Sequence, residues 1–242
     1  MLGACGAWPE AGRACSAFLV EHDGFRLLLD AGYAALPRLL EHVAARDIDA
    51  VFISHGHPDH CADLNPLLRA RALDASPPPP LPVYALPGAL DAVLALDRPG
   101  MLDDAYELRS FEGGAELSIG PFAARTALLP HWLPNAGVRL TAGGRALAYT
   151  GDSAPSPAMV ALARRAEVFL AEATYAGPVP GDSRGHMSSA ADAAAQAAAA
   201  GARRLLLTHL WPGTDPAAAL AAAVAHYDGD IAVAVPGLTA DL

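Results

Sequence analysis

The chain of 242 residues contains no lysine, and all 16 of its basic residues are arginines. Its 26 acidic residues give a formal net charge of −10. No dense run of arginine offers the positive stripe that binds nucleic-acid phosphates, and an acidic surface repels polyanions. Long nucleic acid is therefore not an expected partner, and we expect a small-molecule substrate instead.

Cysteine is also scarce. Cys5, Cys15 and Cys61 form neither an even set nor a C-x-x-C pair, so a disulfide framework is not expected. No run of about 18 uninterrupted apolar residues is present that could span a bilayer, and the first residues lack a basic segment followed by an apolar core. These absences predict a cytoplasmic protein with no membrane partner. The length fits one domain over residues 1–242.

Strand-like and helix-like segments alternate along the whole chain, judged by the periodicity of their apolar residues. Strands are predicted at 15–21, 25–30, 50–54, 82–86, 106–111, 115–127, 137–142, 145–150, 168–170, 204–208 and 230–235. Helices are predicted at 34–46, 58–73, 157–166, 188–201 and 215–226. This mixture predicts two sheets that pack together and are covered by helices on the outside.

The strongest chemical signal directly follows the apolar strand at 50–54, in Ser54-His55-Gly56-His57-Pro58-Asp59-His60. His55 and His57 are two residues apart, so in extended backbone their rings project to the same side. Asp59 and His60 lie where the chain turns into a helix and can face a second point nearby. Imidazole and carboxylate ligands suit zinc, and also manganese or iron. A solvated histidine-rich loop is the alternative, since short motifs can match by chance.

The pattern H-x-H-x-D-H after a strand resembles the signature of the metallo-β-lactamase superfamily. The other ligands of that family are a His, an Asp and a final His, each at the end of a later strand, and His131, Asp152 and His209 have such positions. Leu29-Asp30-Ala31-Gly32 also resembles the L-D-x-G strand end of the family. The resemblance covers essentially the whole chain, and it implies an α/β architecture of four layers, an αββα sandwich of two mixed sheets flanked by helices.

The resemblance implies a binuclear hydrolase with two divalent ions. Zn²⁺ is the expected ion, and Mn²⁺ and Fe are the alternatives. The implied ligands are His55, His57 and His131 for one ion, Asp59, His60 and His209 for the other, and Asp152 as the bridge between them. Two ions about 3.5–4 Å apart lower the pKa of a bridging water and stabilise charge on the substrate oxygens. Asp59 is expected also to orient the resulting hydroxide.

Two further motifs resemble the ribonuclease Z branch and related phosphodiesterases. Glu172-Ala173-Thr174 is similar to the Glu-Ala-Thr loop of that branch, and Gly185-His186-Met187-Ser188 is similar to its His-Ser-Thr loop. In that branch the glutamate orients the histidine, which binds the scissile phosphate and protonates the leaving oxygen. The resemblance therefore implies catalytic roles for Glu172 and His186. The alternative is a purely structural role, in which Glu172 caps a loop and His186 lies at a helix N-terminus. A helix N-terminus disfavours a cation, so this alternative does not explain a histidine there.

This sequence departs from the ribonuclease pattern in two places. Ala171 stands where the ribonuclease loop usually begins with a histidine. Only 20 residues separate His131 from Asp152, and this leaves no room for the long tRNA-gripping arm that ribonuclease Z carries there. We therefore expect a phosphodiesterase that acts on a small phosphodiester, such as a cyclic nucleotide or another cyclic phosphate, and not on tRNA.

Two alternatives remain open from the sequence. The first is acyl or lactone hydrolysis, as in the glyoxalase, lactonase and β-lactamase branches. Glyoxalase- and lactonase-type members usually follow the third histidine with Thr-Pro-Gly, whereas Trp132-Leu133-Pro134-Asn135 follows it here. The second is a non-catalytic metal-binding module.

Three aromatic or sulfur-containing side chains lie next to the motifs. Trp132 and Trp211 are candidates for lining the substrate pocket, and Cys61 is interpreted as a packing residue. A homodimer is possible, because relatives in this branch are often dimers.

Overall fold

The structure, a computed structural model, describes residues 1–241. The strands in those residues are β1 Gly3–Cys5, β2 Ala14–Cys15, β3 Phe18–His22, β4 Phe25–Leu29, β5 Ala50–Phe52, β6 Leu81–Ala85, β7 Tyr106–Ser110, β8 Glu116–Ile119, β9 Phe122–Leu129, β10 Asn135–Ala142, β11 Arg145–Tyr149, β12 Val168–Glu172, β13 Arg204–Thr208 and β14 Asp230–Val233. The helices are α1 Ala35–Leu40, α2 Pro58–Cys61, α3 Leu64–Ala72, α4 Asp91–Leu94, α5 Pro157–Ala163, α6 Ala190–Ala200 and α7 Pro216–Ala223, with a 3₁₀ turn at Ala45–Asp47.

Two mixed sheets dominate the structure. The larger has the strand order β14-β13-β12-β11-β10-β9-β8, and the smaller has the order β3-β4-β5-β6-β7. In the larger sheet β11 to β14 run parallel to one another, whereas β8 to β11 pair antiparallel. In the smaller sheet only the hairpin of β3 and β4 is antiparallel. β1 and β2 form a short parallel pair.

Alternation along the strands divides the apolar side chains into three cores. Leu27 and Leu29 on β4 face the core between the two sheets, whereas Leu28 faces the helices on the other side. On β12, Leu170 likewise faces the core between the sheets and Phe169 faces the outer helices. Successive strand residues point to opposite faces, so each sheet is covered on both sides. The predicted αββα sandwich is therefore confirmed.

The alanine-rich helix α6 packs closely on the larger sheet. Its buried residues recur every three or four positions: Ala190, Ala193, Ala194, Ala197 and Ala200. Small side chains at this spacing give a smooth face that can approach the sheet closely, and alanine has the highest helix propensity. Ser189 and Asp192 form a capping box at its start, and Gly201 ends it with φ 62°. These signals explain why the predicted helix forms.

Most predicted elements agree with the structure to within three residues at each end, and three differ more. The helix predicted at 58–73 breaks into α2 and α3 because Pro66 has no N–H and its ring would clash with the carbonyl of Ala62. The strand predicted at 115–127 is a hairpin of β8 and β9 that turns at Gly120, whose φ is 54°. The helix predicted at 34–46 is shorter and ends at Leu40. The strand predicted at 15–21 covers the end of β2 and most of β3, whereas β1 and α4 were not predicted.

Within residues 1–241 no helix has the length and hydropathy needed to cross a bilayer.

Candidate metal centre

The predicted metal ligands come together where strands of both sheets end. His55 follows β5, His131 follows β9, Asp152 follows β11 and His209 follows β13. Strands β9, β11 and β13 run in the same direction, so their carboxyl ends meet at one edge of the larger sheet. The N–H of Ala136 donates to the carbonyl of Ser54 at 2.9 Å and ties that edge to the end of β5.

His55, His57 and His131 form the first group, with Asp152 at its border. The Nδ1 atom of His57 lies 3.0 Å from the Nε2 atom of His55 and 3.0 Å from the Nε2 atom of His131. The Oδ2 atom of Asp152 lies 3.8 Å from Nε2 of His55 and 3.9 Å from Nε2 of His131. Three ring nitrogens and one carboxylate oxygen therefore converge on one point.

Asp59, His60 and His209 form the second group around the same aspartate. The Nε2 atom of His209 lies 3.1 Å from Oδ2 of Asp59 and 3.3 Å from Oδ2 of Asp152. The Nε2 atom of His60 lies 3.1 Å from Oδ1 of Asp152 and 3.7 Å from Oδ2 of Asp59. Asp152 thus borders both groups, as a bridging ligand must.

The donor set fits a divalent cation in each group. All ligand atoms of a group lie within 4.8 Å of one another. A tetrahedral site with bonds of about 2.0–2.1 Å has edges of about 3.3 Å, which the observed separations approach. The Nε2 atom of His60 and the Oδ1 atom of Asp152 are buried, and neither has a hydrogen-bond partner. Buried polar atoms normally find a partner, and a cation between them would supply it.

A buried carboxylate, that of Asp30, fixes the rings of two of these histidines. Its Oδ2 atom accepts from Nδ1 of His60 at 2.7 Å, from Oγ of Ser54 at 2.8 Å and from the hydroxyl of Tyr149 at 2.6 Å. The Nδ1 atom of His55 lies 3.1 Å from Oγ of Ser54. With protons on both Nδ1 atoms, the Nε2 lone pairs of His55 and His60 point into the centre, which sets the tautomer that a metal ligand needs.

The other two strand-end histidines have comparable partners. Nδ1 of His131 donates to the carbonyl of His186 at 3.0 Å, and Nδ1 of His209 lies 2.8 Å from Oγ1 of Thr174. Both contacts leave Nε2 facing the centre. Gly6 packs against the ring of His209 so closely that a Cβ atom there would lie 2.7 Å from Cε1 and Nδ1. The ring of His209 is therefore held on several sides.

Burial and charge act differently on the two groups. In the first, burial lowers the pKa of His55, His57 and His131, which keeps their rings neutral and their lone pairs free. In the second, burial also lowers the pKa of His60 and His209, but the neighbouring carboxylates, Asp152 above all, outweigh it and raise both pKa values. Protons in the second group thus supply the positive charge that a cation would bring.

Both carboxylates of the centre stay ionised. Burial alone would raise the pKa of Asp59 and of Asp152, yet His60 and His209 beside them hold both pKa values below the ordinary range. The N–H of Ala7 also donates to Oδ2 of Asp59 at 2.7 Å. Two almost fully buried carboxylates this close together need compensating positive charge.

The structure corrects the contact that the resemblance implied between Glu172 and His186. The carboxylate of Glu172 accepts from the N–H groups of Ser153, Thr174 and Ser188 at 2.9–3.2 Å. Within residues 1–241 no hydrogen bond joins it to the ring of His186. Burial and the charge of Asp152 raise the pKa of Glu172 to about 7. Because its oxygens are used by backbone donors, Glu172 fixes the loop that follows His186 and not the ring itself.

His186 lies beside the centre in a defined position. Its carbonyl accepts from His131, and its ring stacks on that of Trp132 with centroids 4.9 Å apart and planes at 21°. The Nδ1 atom of His186 is buried and has no hydrogen-bond partner. Cys61, by contrast, is buried in the outer core of the smaller sheet, where burial raises the pKa of its thiol to about 12, and this bears out its interpretation as packing.

Some residues that shape the centre had no role in the sequence analysis. They are Ser54, Tyr149 and Asn135. The Nδ2 atom of Asn135 donates to the carbonyl of Thr150 at 2.9 Å and to that of Asp152 at 2.6 Å, and so holds the turn before Asp152. Asp30 was noted only as part of a strand-end motif. The L-D-x-G pattern was the available signal for Asp30, whereas nothing in the sequence marks Asn135 or Tyr149.

The protein-family model described as "Beta-lactamase superfamily domain" matches residues 25–210 of this chain. The chain is 30% identical over 217 residues to the probable metallo-hydrolase YhfI of Bacillus subtilis. The alignment covers 87% of this chain and 85% of that protein. The crystal structure of YhfI, described as a metallo-β-lactamase fold protein, matches with a TM-score of 0.90 and 28% identity, over 99% of this chain and 97% of the other.

More distant matches are a ribonuclease, by sequence, and a diphosphatase, by fold alone. Ribonuclease Z of Halobacterium salinarum is 28% identical over 299 aligned positions, which cover 100% of this chain and 96% of that protein. The alignment is longer than this chain, so the ribonuclease has segments that this chain lacks. A diphosphatase of the PhnP family shares the fold, with a TM-score of 0.77 at 18% identity over 100% of this chain and 96% of the other.

Proposed function

This chain belongs to the β-lactamase superfamily of metallo-hydrolases, and from that premise we propose that it is a phosphodiesterase acting on a small phosphodiester. The observation that carries the proposal is the position of His186 beside the metal centre: its carbonyl accepts from the ligand His131, and its ring stacks on Trp132.

Metal ions would occupy the two groups of the centre. His55, His57 and His131 would hold one ion, Asp59, His60 and His209 would hold the other, and Asp152 would bridge them. When bound, such a pair, which we expect to be Zn²⁺ with Mn²⁺ or Fe as alternatives, polarises phosphoryl oxygens and makes water a better nucleophile near neutral pH.

Asp59 would orient the attacking water. Its Oδ2 atom is held by the N–H of Ala7 at 2.7 Å, and the lowered pKa keeps the carboxylate ionised. An ionised carboxylate is a strong hydrogen-bond acceptor, so a water in the centre would present its lone pair to the phosphorus while one of its protons bonds to Asp59. This role adds to that of Asp59 as a ligand.

His186 would donate a proton to the leaving oxygen. Stacking on Trp132 fixes the plane of the ring. Glu172 would act as a positioning residue, because it binds the N–H of Ser188 and that of Ser153 and so holds the loop of His186 at a set distance from Asp152.

The segment between His131 and Asp152 supports a small substrate. It is filled by β10, β11 and their turn at Gly143-Gly144 and leaves no residues for a projecting arm. Together with the net charge of −10, this argues against a long polyanion. A compact phosphodiester, cyclic or linear, needs neither an arm nor a basic surface. The homodimer and the cytoplasmic location stay predictions, and light scattering of the purified protein would test the first.

The test is hydrolysis of bis(p-nitrophenyl) phosphate by protein reloaded with Zn²⁺ or Mn²⁺, with bound metal quantified. We expect about two ions per chain, from the two donor groups that share one bridging aspartate. A His186→Ala variant should lose about a hundredfold in kcat, the usual scale for a general acid. His42→Ala, at an exposed histidine that belongs to neither donor group, is the matched control and should keep full activity.

p-Nitrophenyl acetate and a simple lactone are assayed in parallel to test the acyl-hydrolase alternative. Ester or lactone turnover that His186→Ala leaves unchanged, without diesterase activity, would overturn the proposed reaction while leaving the metal centre intact. Protein that binds no divalent metal would overturn both the reaction and the centre.

A further inference from the structure

Three aromatic side chains form a continuous cluster beside the metal centre, and we call Trp8, Tyr175 and Trp211 the aromatic corner. The rings of Trp8 and Trp211 have centroids 5.1 Å apart and planes at 82°. The rings of Tyr175 and Trp211 have centroids 6.2 Å apart and planes at 14°. Two nearly parallel rings and one perpendicular ring therefore make a right-angled corner.

The corner leaves a large aromatic surface open. Trp8 is 48% exposed and Trp211 is 40% exposed, although each already contacts the other. Removing aromatic surface from water is favourable, and tryptophans are enriched at binding interfaces. An occupant that covers these two rings would gain free energy.

The backbone of the corner is attached to the metal centre. Trp8 follows Ala7, whose N–H donates to Asp59 and whose φ is 59°, a left-handed conformation that a side chain rarely adopts without support. The N–H of Trp211 donates to the carbonyl of Thr174 at 3.0 Å, and the hydroxyl of Thr174 in turn contacts His209. The contacts that hold Asp59 and His209 therefore also fix the two tryptophans.

Tyr175 connects the corner to the loop of His186. The hydroxyl of Tyr175 lies 3.0 Å from Oγ of Ser183, and the carbonyl of Ser183 accepts from the N–H of His186 at 3.0 Å. The corner is thus joined at one end to the ligands of the second group and at the other to the proposed proton donor. A substrate between these two places would have one ester group beside the corner.

Resting on the proposed phosphodiesterase function, we propose that the aromatic corner is a specificity subsite that stacks a planar heteroaromatic ring carried by one ester group of the substrate. The substrate class is then a phosphodiester of nucleoside type. A tryptophan face stacks any planar ring, and the perpendicular ring offers its edge or face to the border of the same ligand. An aliphatic ester group would gain much less from this geometry.

The experiment compares two substrates with the same leaving group. Thymidine 5′-(p-nitrophenyl phosphate) carries a nucleoside on the non-leaving ester, whereas methyl p-nitrophenyl phosphate carries a methyl group there. We expect the kcat/KM of the metal-loaded protein to favour the nucleoside ester by about tenfold or more, which lies within the range for one stacked base. Equal kcat/KM for the two esters would overturn the subsite.

Variants then assign the preference to the corner. Trp8→Leu and Trp211→Leu should each reduce the ratio of the two kcat/KM values about fivefold or more, and Trp211→Phe should keep most of it because a phenyl ring still stacks. Leu96→Ala, at a residue that is 69% exposed, is the control and should keep the ratio. An unchanged ratio in both leucine variants would overturn the proposal, as would leucine variants that change only the oligomeric state, since the corner would then be an interface.

Calorimetry separates the subsite from the reaction. If neither ester is hydrolysed, the proposed function fails, but thymidine 5′-monophosphate should still bind the metal-loaded wild-type protein about tenfold more tightly than methyl phosphate. This comparison needs no variant, so it decides the question even if the leucine variants do not fold. Equal affinity for the two ligands would overturn the subsite on its own.

Discussion

Asp30→Asn tests the most consequential contact behind the metal centre. The Oδ2 atom of Asp30 accepts from Ser54, His60 and Tyr149, and its Oδ1 atom accepts from the N–H of Ser54 at 2.7 Å. Asparagine has the same shape but only one acceptor oxygen. If that oxygen replaces Oδ2, the amide NH₂ faces the N–H of Ser54, and in the flipped orientation the NH₂ faces three donors. At least one buried donor therefore loses its acceptor.

The magnitude follows from these contacts. A buried donor without an acceptor costs about 1–3 kcal/mol, and a lost charge-assisted bond, here from His60, costs about 1.5–3 kcal/mol. We expect a loss of about 3–5 kcal/mol in the free energy of unfolding, large but tolerable for a domain of typical stability. The ring of His60 also loses its anionic partner, so metal affinity should fall about 10–100-fold.

Urea unfolding of the metal-free protein measures the first quantity, and competition with a chelator of known affinity measures the second. Asp103→Asn, which changes the same functional group at an exposed position, is the matched control and should alter neither. The reasoning is refuted if Asp30→Asn lowers the free energy of unfolding by less than about 1 kcal/mol, the low end for one unsatisfied donor, and leaves the metal affinity unchanged.

Two further predictions concern the same centre. Gly6→Ala would place a Cβ atom 2.7 Å from the ring of His209, so it should lower the free energy of unfolding, measured in urea, by about 1–3 kcal/mol and weaken metal binding. Gly177→Ala is the control, because nothing lies within 4 Å of the added atom, and it should change neither quantity. In the metal-free protein, stabilisation by His60 and His209 is complete below their ordinary pKa and is lost as pH rises through the raised values. Metal affinity should therefore increase as the pH rises above about 6.5, the ordinary pKa of histidine, because fewer protons then have to be displaced, while the metal-free protein becomes less stable. Calorimetry that shows no proton release on metal binding would contradict this.

Local signals in the sequence were enough to predict the alternation of elements and the donor cluster at its strand ends. Apolar periodicity located the strands, because a strand between two packed layers must present side chains to both faces. The spacing of His55, His57, Asp59 and His60 depends only on an extended segment that turns into a helix, and this is what the chain does. The resemblance to a known family then added His131, Asp152 and His209 in the right order.

Long-range packing decided the remaining features. Asp30 contacts the centre through His60, and Tyr149 from the opposite sheet donates to the same carboxylate oxygen. The contact with Tyr149 joins residues far apart in the chain. The carboxylate of Glu172 turned to three backbone N–H groups because these donors lie in a buried place where each needs an acceptor. Two motifs close in sequence to a known pattern therefore did not specify the contact between them.

The sequence by itself determined the donor cluster of His55, His57, Asp59 and His60, since this depends on residue type and short-range geometry, and the family resemblance read from it added His131, Asp152 and His209. Only the tertiary structure decided what stands behind and beside the ligands. Trp8, Tyr175 and Trp211 are scattered along the chain, and they meet because the N-terminal segment pairs with the loop after β13, where the N–H of Gly6 donates to the carbonyl of Leu210. No periodicity or spacing encodes such a meeting, because it depends on how separate segments pack against one edge of two sheets.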